Sequence, residues 1–301
     1  MMRAFNNLPL ELGGNHDIRL IGPRKSGKTT YMAALARWPN ADPNSPIEAV
    51  DPFDTPSAEL IDLAQDILED GRELAGTDYA IDADELATYT LLITLKPNLF
   101  NHPRAKLQGK SIRLQVSCRE YSGELIKDLR NINTSRVDLN SYLDDCASAN
   151  GLMLLLDGSA KADKEYAQAF KNLQQELNDR LSVSNQRRQD YRIAVVFAKC
   201  EQAGVWIYRQ DAKKFIGLKF PATKGVLQQW RRLWGCQINY FFCSAFGTKG
   251  EPPRPNVRVL RRNRGGIDGV IDKPNLWKPM GLVAPLYWLQ TGQEDARLRD
   301  L

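Results

Sequence analysis

The sequence predicts an α/β fold: a mostly parallel sheet of about six strands, one of them antiparallel, covered by helices on both faces. Three observations carry this. Apolar runs of strand length, such as Leu152 to Leu156 and Ile193 to Ala198, alternate with segments of helical spacing, as expected of strands buried on both sides. A glycine-bounded turn near the N-terminus, Gly22-Pro-Arg-Lys-Ser-Gly-Lys28-Thr29, leaves an apolar strand and enters a helix. Two candidate strands, Thr88 to Lys96 and Ser111 to Cys118, are joined by a link without helical character, Pro97 to Lys110, which suits an antiparallel pair better than a parallel crossover.

Elements follow in order. The first strand is Asp17 to Ile21, and its helix runs from about Lys28 to Arg37 before Pro39 stops it. Four prolines between 40 and 56 predict an irregular connection. It ends at a helix, Ala58 to about Asp70, capped by Thr55 or Ser57 and carrying Leu60, Leu63, Ala64 and Ile67 on one face. After the two candidate strands, a helical region extends from Gly123 to about Ala149. Then come the strand Leu152 to Leu156, a long amphipathic helix from Lys164 to about Leu181, and the strand Ile193 to Ala198. Helices near Asp211 and Leu227, a last strand at Tyr240 to Cys243, a basic loop at 247 to 277 and a closing helix within 278 to 292 complete the chain.

With 301 residues, 43% hydrophobic and 26% charged, the chain has the composition of an ordinary folded protein and is far from disordered or collagen-like extremes. It reads as one domain, 15 to 301, after an extension at 1 to 14. No apolar run approaches the roughly 20 residues of a membrane span, since the run from Gly151 to Leu156 stops at Asp157. No signal-peptide core opens the chain. Five scattered cysteines without a C-x-x-C suggest reduced thiols and a cytoplasmic setting. Part of the net charge of +5 sits in Arg254, Arg258, Arg261, Arg262 and Arg264. Pro and Gly interrupt that run, so it reads as a solvated loop, with contact to an acidic partner or membrane surface as the alternative.

The pattern G-x-x-x-x-G-K-[ST] arises by chance about once in a hundred chains of this length. At a strand-to-helix junction it turns successive backbone N–H groups and a helix N-terminus toward a phosphate. Gly22 and Gly27 permit the tight loop and close approach. Pro23, Arg24, Lys25, Ser26 and Thr30 complete the cradle. Lys28 is the residue placed to bridge β- and γ-phosphates, and the Thr29 hydroxyl to ligate Mg²⁺. Arg24 and Lys25 add positive charge, solvated or available to a transition state.

Three later strand ends sharpen this. Ser111 to Cys118 leads into Arg119-Glu-Tyr-Ser-Gly123-Glu124, Ile193 to Ala198 into Lys199-Cys-Glu201, and Tyr240 to Cys243 into Ser244-Ala245. In this order the chain resembles the Ras-like G domains of translation-factor-class P-loop GTPases, which carry Asp-x-x-Gly, Asn-Lys-x-Asp and Ser-Ala boxes there. The resemblance covers residues 15 to 247 and is nearest to divergent bacterial members with a long insertion before the second strand, here 40 to 87. It implies a three-layer P-loop fold, with the insertion as a helical first switch region.

It also implies GTP or GDP and Mg²⁺ as ligands, with ATP as the alternative. Glu120 takes the place of the metal-shell Asp, Gly123 that of the γ-phosphate sensor, and Glu124 that of the water-orienting Gln. A carboxylate at 124 repels phosphate charge, so slow hydrolysis is expected. Lys199 would lie along the base, Glu201 would accept from guanine in place of Asp, and Ser244-Ala245 would present a backbone N–H. Candidates for the switch threonine, which would reach Mg²⁺ and the γ-phosphate, are Thr55 and Thr77; Thr77 is preferred, in a polar stretch closer to the second strand, since Thr55 reads better as a helix cap. The leading function is a GTP-controlled switch read by an effector protein. One alternative is an ATPase or phosphotransferase with Asp157 on the metal; the other is a degenerate domain serving as a scaffold.

Overall fold

A computed structural model describes residues 10–11, 16–38, 45–70, 88–120, 123–131, 137–183, 188–263 and 266–299. The strands are β1 (Leu10–Glu11), β2 (His16–Ile21), β3 (Ile47–Pro52), β4 (Thr88–Leu95), β5 (Ile112–Glu120), β6 (Gly151–Asp157), β7 (Arg192–Ala198) and β8 (Gln237–Phe242), then β9 (Thr248–Lys249), β10 (Arg254–Pro255), β11 (Val257–Asn263) and β12 (Gly266–Ile271). The helices are α1 (Lys28–Ala36), α2 (Thr55–Gln65), α3 (Pro103–Gln108), α4 (Glu124–Arg130), α5 (Val137–Ser148), α6 (Asp163–Val183), α7 (Ala203–Trp206), α8 (Ala212–Lys219), α9 (Pro221–Trp234) and α10 (Val283–Thr291).

Among the described residues, eight strands form the main sheet in the order β3-β4-β5-β2-β6-β7-β8, with β1 pairing the first residues of β5. Only β4 runs against the rest, antiparallel to both β3 and β5. The α/β fold with one antiparallel strand is therefore as expected, with more than about six strands.

The sheet is buried on both faces because its central strands are apolar throughout. Leu152, Leu154 and Leu156 of β6 point into one core with residues of α4, α5, α6, α8 and α9. Met153 and Leu155 point into the other with residues of α1, α2 and α10. Every residue from Val283 to Gln290 of α10 is buried, so this helix is apolar all round, as a helix enclosed by its own protein must be. The helix of the 40–87 insertion, α2, packs on α1 and β4.

Polar ties fix the strands that carry the site. Arg19 of β2 donates to Asp145 of α5 through Nε at 2.6 Å and NH2 at 2.7 Å, and Arg119 of β5 reaches the same carboxylate at 2.9 Å. This holds the neighbouring strands β2 and β5 just before the turns that follow them. A fork of donors matched to one carboxylate is what makes so buried a charge group tolerable.

Several expectations are corrected. The connection at 40–56 contains β3, an edge strand, where Pro52 costs no ladder bond to a second neighbour. The cap of α2 is Asp54, whose carboxylate accepts from Ser57 N at 2.9 Å, whereas Thr55 is already helical. The β4–β5 link contains the short α3. The stretch 247–277, expected as a basic loop, holds the pairs β9–β10 and β11–β12, with a bulge between Val259 and Arg261. Arg254 lies on β10 and Arg258, Arg261 and Arg262 on β11, whereas Arg264 is outside the described residues. All five cysteines are free and buried. No described helix is long and apolar enough to cross a membrane.

Candidate functional site

Parallel strands deliver their C-terminal turns to one pole of a sheet, and ligand sites of open α/β sheets form there. Here the turns after β2, β5, β6, β7 and β8 share that pole. The turn after β2 is the phosphate cradle, residues 22–29. Gly22 has no room for a side chain: a Cβ would stand 2.2 Å from Leu155 O and 2.8 Å from Ser26 Oγ. Gly27 starts α1 at φ 95°, a left-handed conformation that glycine accepts freely. The Lys28 ammonium, 7% exposed, donates to Gly22 O at 3.0 Å and Pro23 O at 3.3 Å, folded over the turn. Ser26 is fully buried, and its Oγ has no hydrogen-bond partner among the described residues. Arg24 projects into solvent, while Thr29 and Thr30 are half-buried at the head of α1.

The turn after β5 meets this cradle directly. A Cβ on Gly123 would lie 2.3 Å from Arg24 N and 2.4 Å from Arg24 Cα, so a residue with a side chain cannot occupy position 123 without moving the cradle. Glu124 opens α4 and pairs with Lys127 at 3.1 Å, an i, i+3 contact at the surface. Glu120 ends β5 in register with Leu20 of β2; its side chain, like Thr77, lies outside the described residues.

Lys199, just after β7, joins the two halves of the site. Its Nζ donates to Lys25 O at 2.9 Å and to Asp157 Oδ2 at 2.6 Å. Lys25 (φ 64°) and Lys199 (φ 60°) are also the non-glycine residues with positive φ among those described. Such strained backbone persists only where surrounding contacts impose it, and it gathers at functional sites. Asp157 is thereby spoken for: Oδ2 accepts from Lys199, and Oδ1 accepts from Ser159 N at 2.8 Å and Ser159 Oγ at 2.6 Å. That arrangement orients Lys199 and leaves the carboxylate engaged.

Glu201 is 3% exposed. Burial pushes its carboxyl above the usual range, against opposing contributions from the Ser244 hydroxyl and the Lys199 charge. Its Oε2 has no hydrogen-bond partner among the described residues, a costly state for a buried acceptor unless something else completes it. Ser244 is fully buried, with its Oγ accepting from Gly247 N at 2.8 Å.

The turns after β7 and β8 are tied by Cys200 N to Cys243 O at 3.2 Å. A segment that motif spacing did not single out braces the second turn. Met280 and Ser244 exchange two backbone bonds of 2.9 Å, and Trp277 Nε1 donates to Ala245 O at 2.8 Å. Nothing in the spacing of Trp277 or Met280 announces this, because both contacts are tertiary.

The structure thus brings together the cradle, Gly123, Lys199, Glu201, Ser244 and Ala245. No protein-family model and no curated protein matches the chain. Solved structures similar to it include the signal recognition particle receptor SRb-GTP/SRX complex from Chaetomium thermophilum, at 12% identity and a TM-score of 0.39, covering 79% of this chain and 94% of that one. Translation elongation factor SelB from Methanococcus maripaludis in complex with the GTP analogue GppNHp is similar at 12% identity and a TM-score of 0.36, covering 79% of this chain. A bacterial selenocysteine-specific elongation factor EF-Sec is similar at 13% identity and a TM-score of 0.32, covering 76%. The chain spans 31% and 25% of the length of these two elongation factors.

Proposed function

We propose that the chain binds a guanine nucleotide with Mg²⁺, hydrolyses GTP slowly and acts as a nucleotide-controlled switch for a protein partner. The observation that supports this is the Lys199 tie to Lys25 O of the phosphate-type turn, together with Glu201 two residues further on, buried with an Oε2 that meets no hydrogen-bond partner among the described residues. The residues present fit such a ligand at both ends. Ionised Glu201 offers acceptors that suit the N1–H and amino donors of guanine, whereas adenine offers no donor at N1. The cradle offers backbone N–H groups, the Lys28 ammonium and a helix N-terminus for phosphates.

Lys199 holds the base-side and phosphate-side turns at a fixed separation, and Gly123, seated on Arg24, is the point from which the γ-phosphate would be sensed. Magnesium, when bound, neutralises phosphate charge; Thr29, Glu120 and Thr77 are the residues this chain would offer it. Glu124, paired with Lys127, is not the neutral amide that would orient water, which supports slow turnover.

The test is calorimetric titration with GTP, GDP and ATP, with and without Mg²⁺, followed by phosphate release. Guanine nucleotides should bind at least about tenfold more tightly than ATP, the difference of one good hydrogen bond to a charged group. Glu201→Ala should erase that preference, and Lys28→Ala should abolish triphosphate binding. Tighter ATP binding with turnover would support a phosphotransferase instead; equally weak binding by wild type and Lys28→Ala would leave a scaffold.

A further inference from the structure

The β4–β5 link, residues 96–111, lies at the pole opposite the phosphate cradle, since it enters the start of β5 while the cradle follows the end of its parallel neighbour β2. Three apolar side chains there stand in water: Phe100 is 96% exposed, Leu107 81% and Leu99 60%. Single exposed leucines are ordinary, but a cluster containing a bare aromatic marks a contact surface. The link is firmly held. Asn98 Oδ1 accepts from Asn101 N at 2.5 Å, Asn98 Nδ2 donates to Asp295 Oδ2 at 3.1 Å, and the His102 ring meets Tyr287 Oη at 2.9 Å.

Its charge has one sign. Residues 96–113 include five Lys or Arg and no Asp or Glu, with Arg104 and Lys106 exposed and Lys110 half-buried. Of the acids beside the link, Asp295 pairs with Arg297 and Glu294 with Arg299, while Glu48 accepts from the Ser111 hydroxyl at 2.6 Å and Glu11 lies opposite Arg113 in the β1–β5 register.

We propose that this turn docks the protein on a bilayer surface rich in anionic lipids. Phe100, Leu99 and Leu107 enter the boundary between headgroups and acyl chains, while Arg104, Lys106 and Lys110 meet lipid phosphates. A side chain 96% exposed touches almost nothing of its own protein, so a protein partner would need a cavity cut to fit it. A bilayer yields around it. Docked this way, the phosphate cradle faces away from the membrane.

Flotation of the full chain with vesicles of phosphatidylcholine, with and without phosphatidylserine, tests this. Wild type should float with the anionic vesicles only, and less as salt rises. Leu99→Ser/Phe100→Ser/Leu107→Ser and Arg104→Glu/Lys106→Glu/Lys110→Glu should each lower vesicle partitioning by at least about tenfold, with unchanged thermal melts by circular dichroism. Single Phe100→Ser should lower it measurably. No flotation of wild type, equal flotation with neutral vesicles, or a triple variant that floats like wild type would each overturn the proposal. So would an apolar triple variant that changes the oligomeric state by light scattering while still floating.

Discussion

At the scale of single residues, Glu201 makes the sharpest demand. Burial raises its folded carboxyl above the ordinary 4.5, so the folded chain holds this proton more tightly than the unfolded chain does. Its contribution to stability is therefore greatest below pH 4.5 and declines as pH rises through the folded pKa. Glu201→Gln should flatten that decline, as denaturant titration across a pH series would reveal. Guanine donors would favour the ionised form, so GDP binding should weaken as pH falls through the raised folded pKa. Calorimetric titration with GDP across a pH series checks this, and an affinity that loses no more on acidification in wild type than in Glu201→Gln would remove Glu201 from the base site. Gly123→Ala is the second case. Its methyl must displace Arg24, so nucleotide affinity should fall at least about tenfold while the melt shifts by an overpacking cost of roughly 1–3 kcal/mol. The positions of Lys199, Glu201 and Gly123 were legible from the order of strand ends. The partner that gives Lys199 its role, Lys25 O, is 174 residues away, and no spacing rule points to it.

At the scale of elements, strongly patterned segments were legible and weakly patterned ones were not. The run of leucines in β6 and the amphipathic repeat of α6 left little choice. The sequence points to Thr55 or Ser57 as the cap of α2, because composition cannot say which side chain faces its orphan N–H groups. Asp54 does, accepting from both the backbone and the hydroxyl of Ser57. Burial works against ionisation of Asp54, but the Ser57 bonds outweigh it and hold the carboxyl below the usual range. Asp54→Ala should therefore cost about 1 kcal/mol of stability by urea denaturation at neutral pH. The wild-type advantage should disappear as pH falls through the lowered pKa; a variant equally stable throughout would remove the cap from the account. The strand β3 was hidden by prolines that an edge tolerates, and α3 by its length of six residues. In β11, arginines and a bulge obscured the alternation that signals a strand, although Val270 and Ile271 of its partner are buried.

At the scale of the molecule, two apolar layers hold the sheet, while the site depends on a few polar ties across its C-terminal edge. Layering follows from composition and periodicity, hence its legibility. The ties follow from how far each turn projects after its strand, and only the folded chain reveals that. Lys199 is the decisive tie. Lys199→Met removes the bond to Lys25 O and leaves the part-buried Asp157 with Ser159 alone, a loss of about 1–3 kcal/mol, seen as a melt several degrees lower. A nucleotide at a hundred times its Kd should stabilise wild type by about 2.7 kcal/mol, raising its melt by roughly 5 °C for a domain of this size. If the lysine also aligns base and phosphate turns for the ligand, that shift should shrink in Lys199→Met. The double variant Lys199→Met/Asp157→Asn separates the two roles, because a neutral amide no longer needs the ammonium. It should recover the part of ligand-free stability lost at Asp157, though not the bond to Lys25 O, without recovering the nucleotide shift. Differential scanning calorimetry with and without GDP reads both quantities, and a full shift in the double variant would reduce Lys199 to a structural brace.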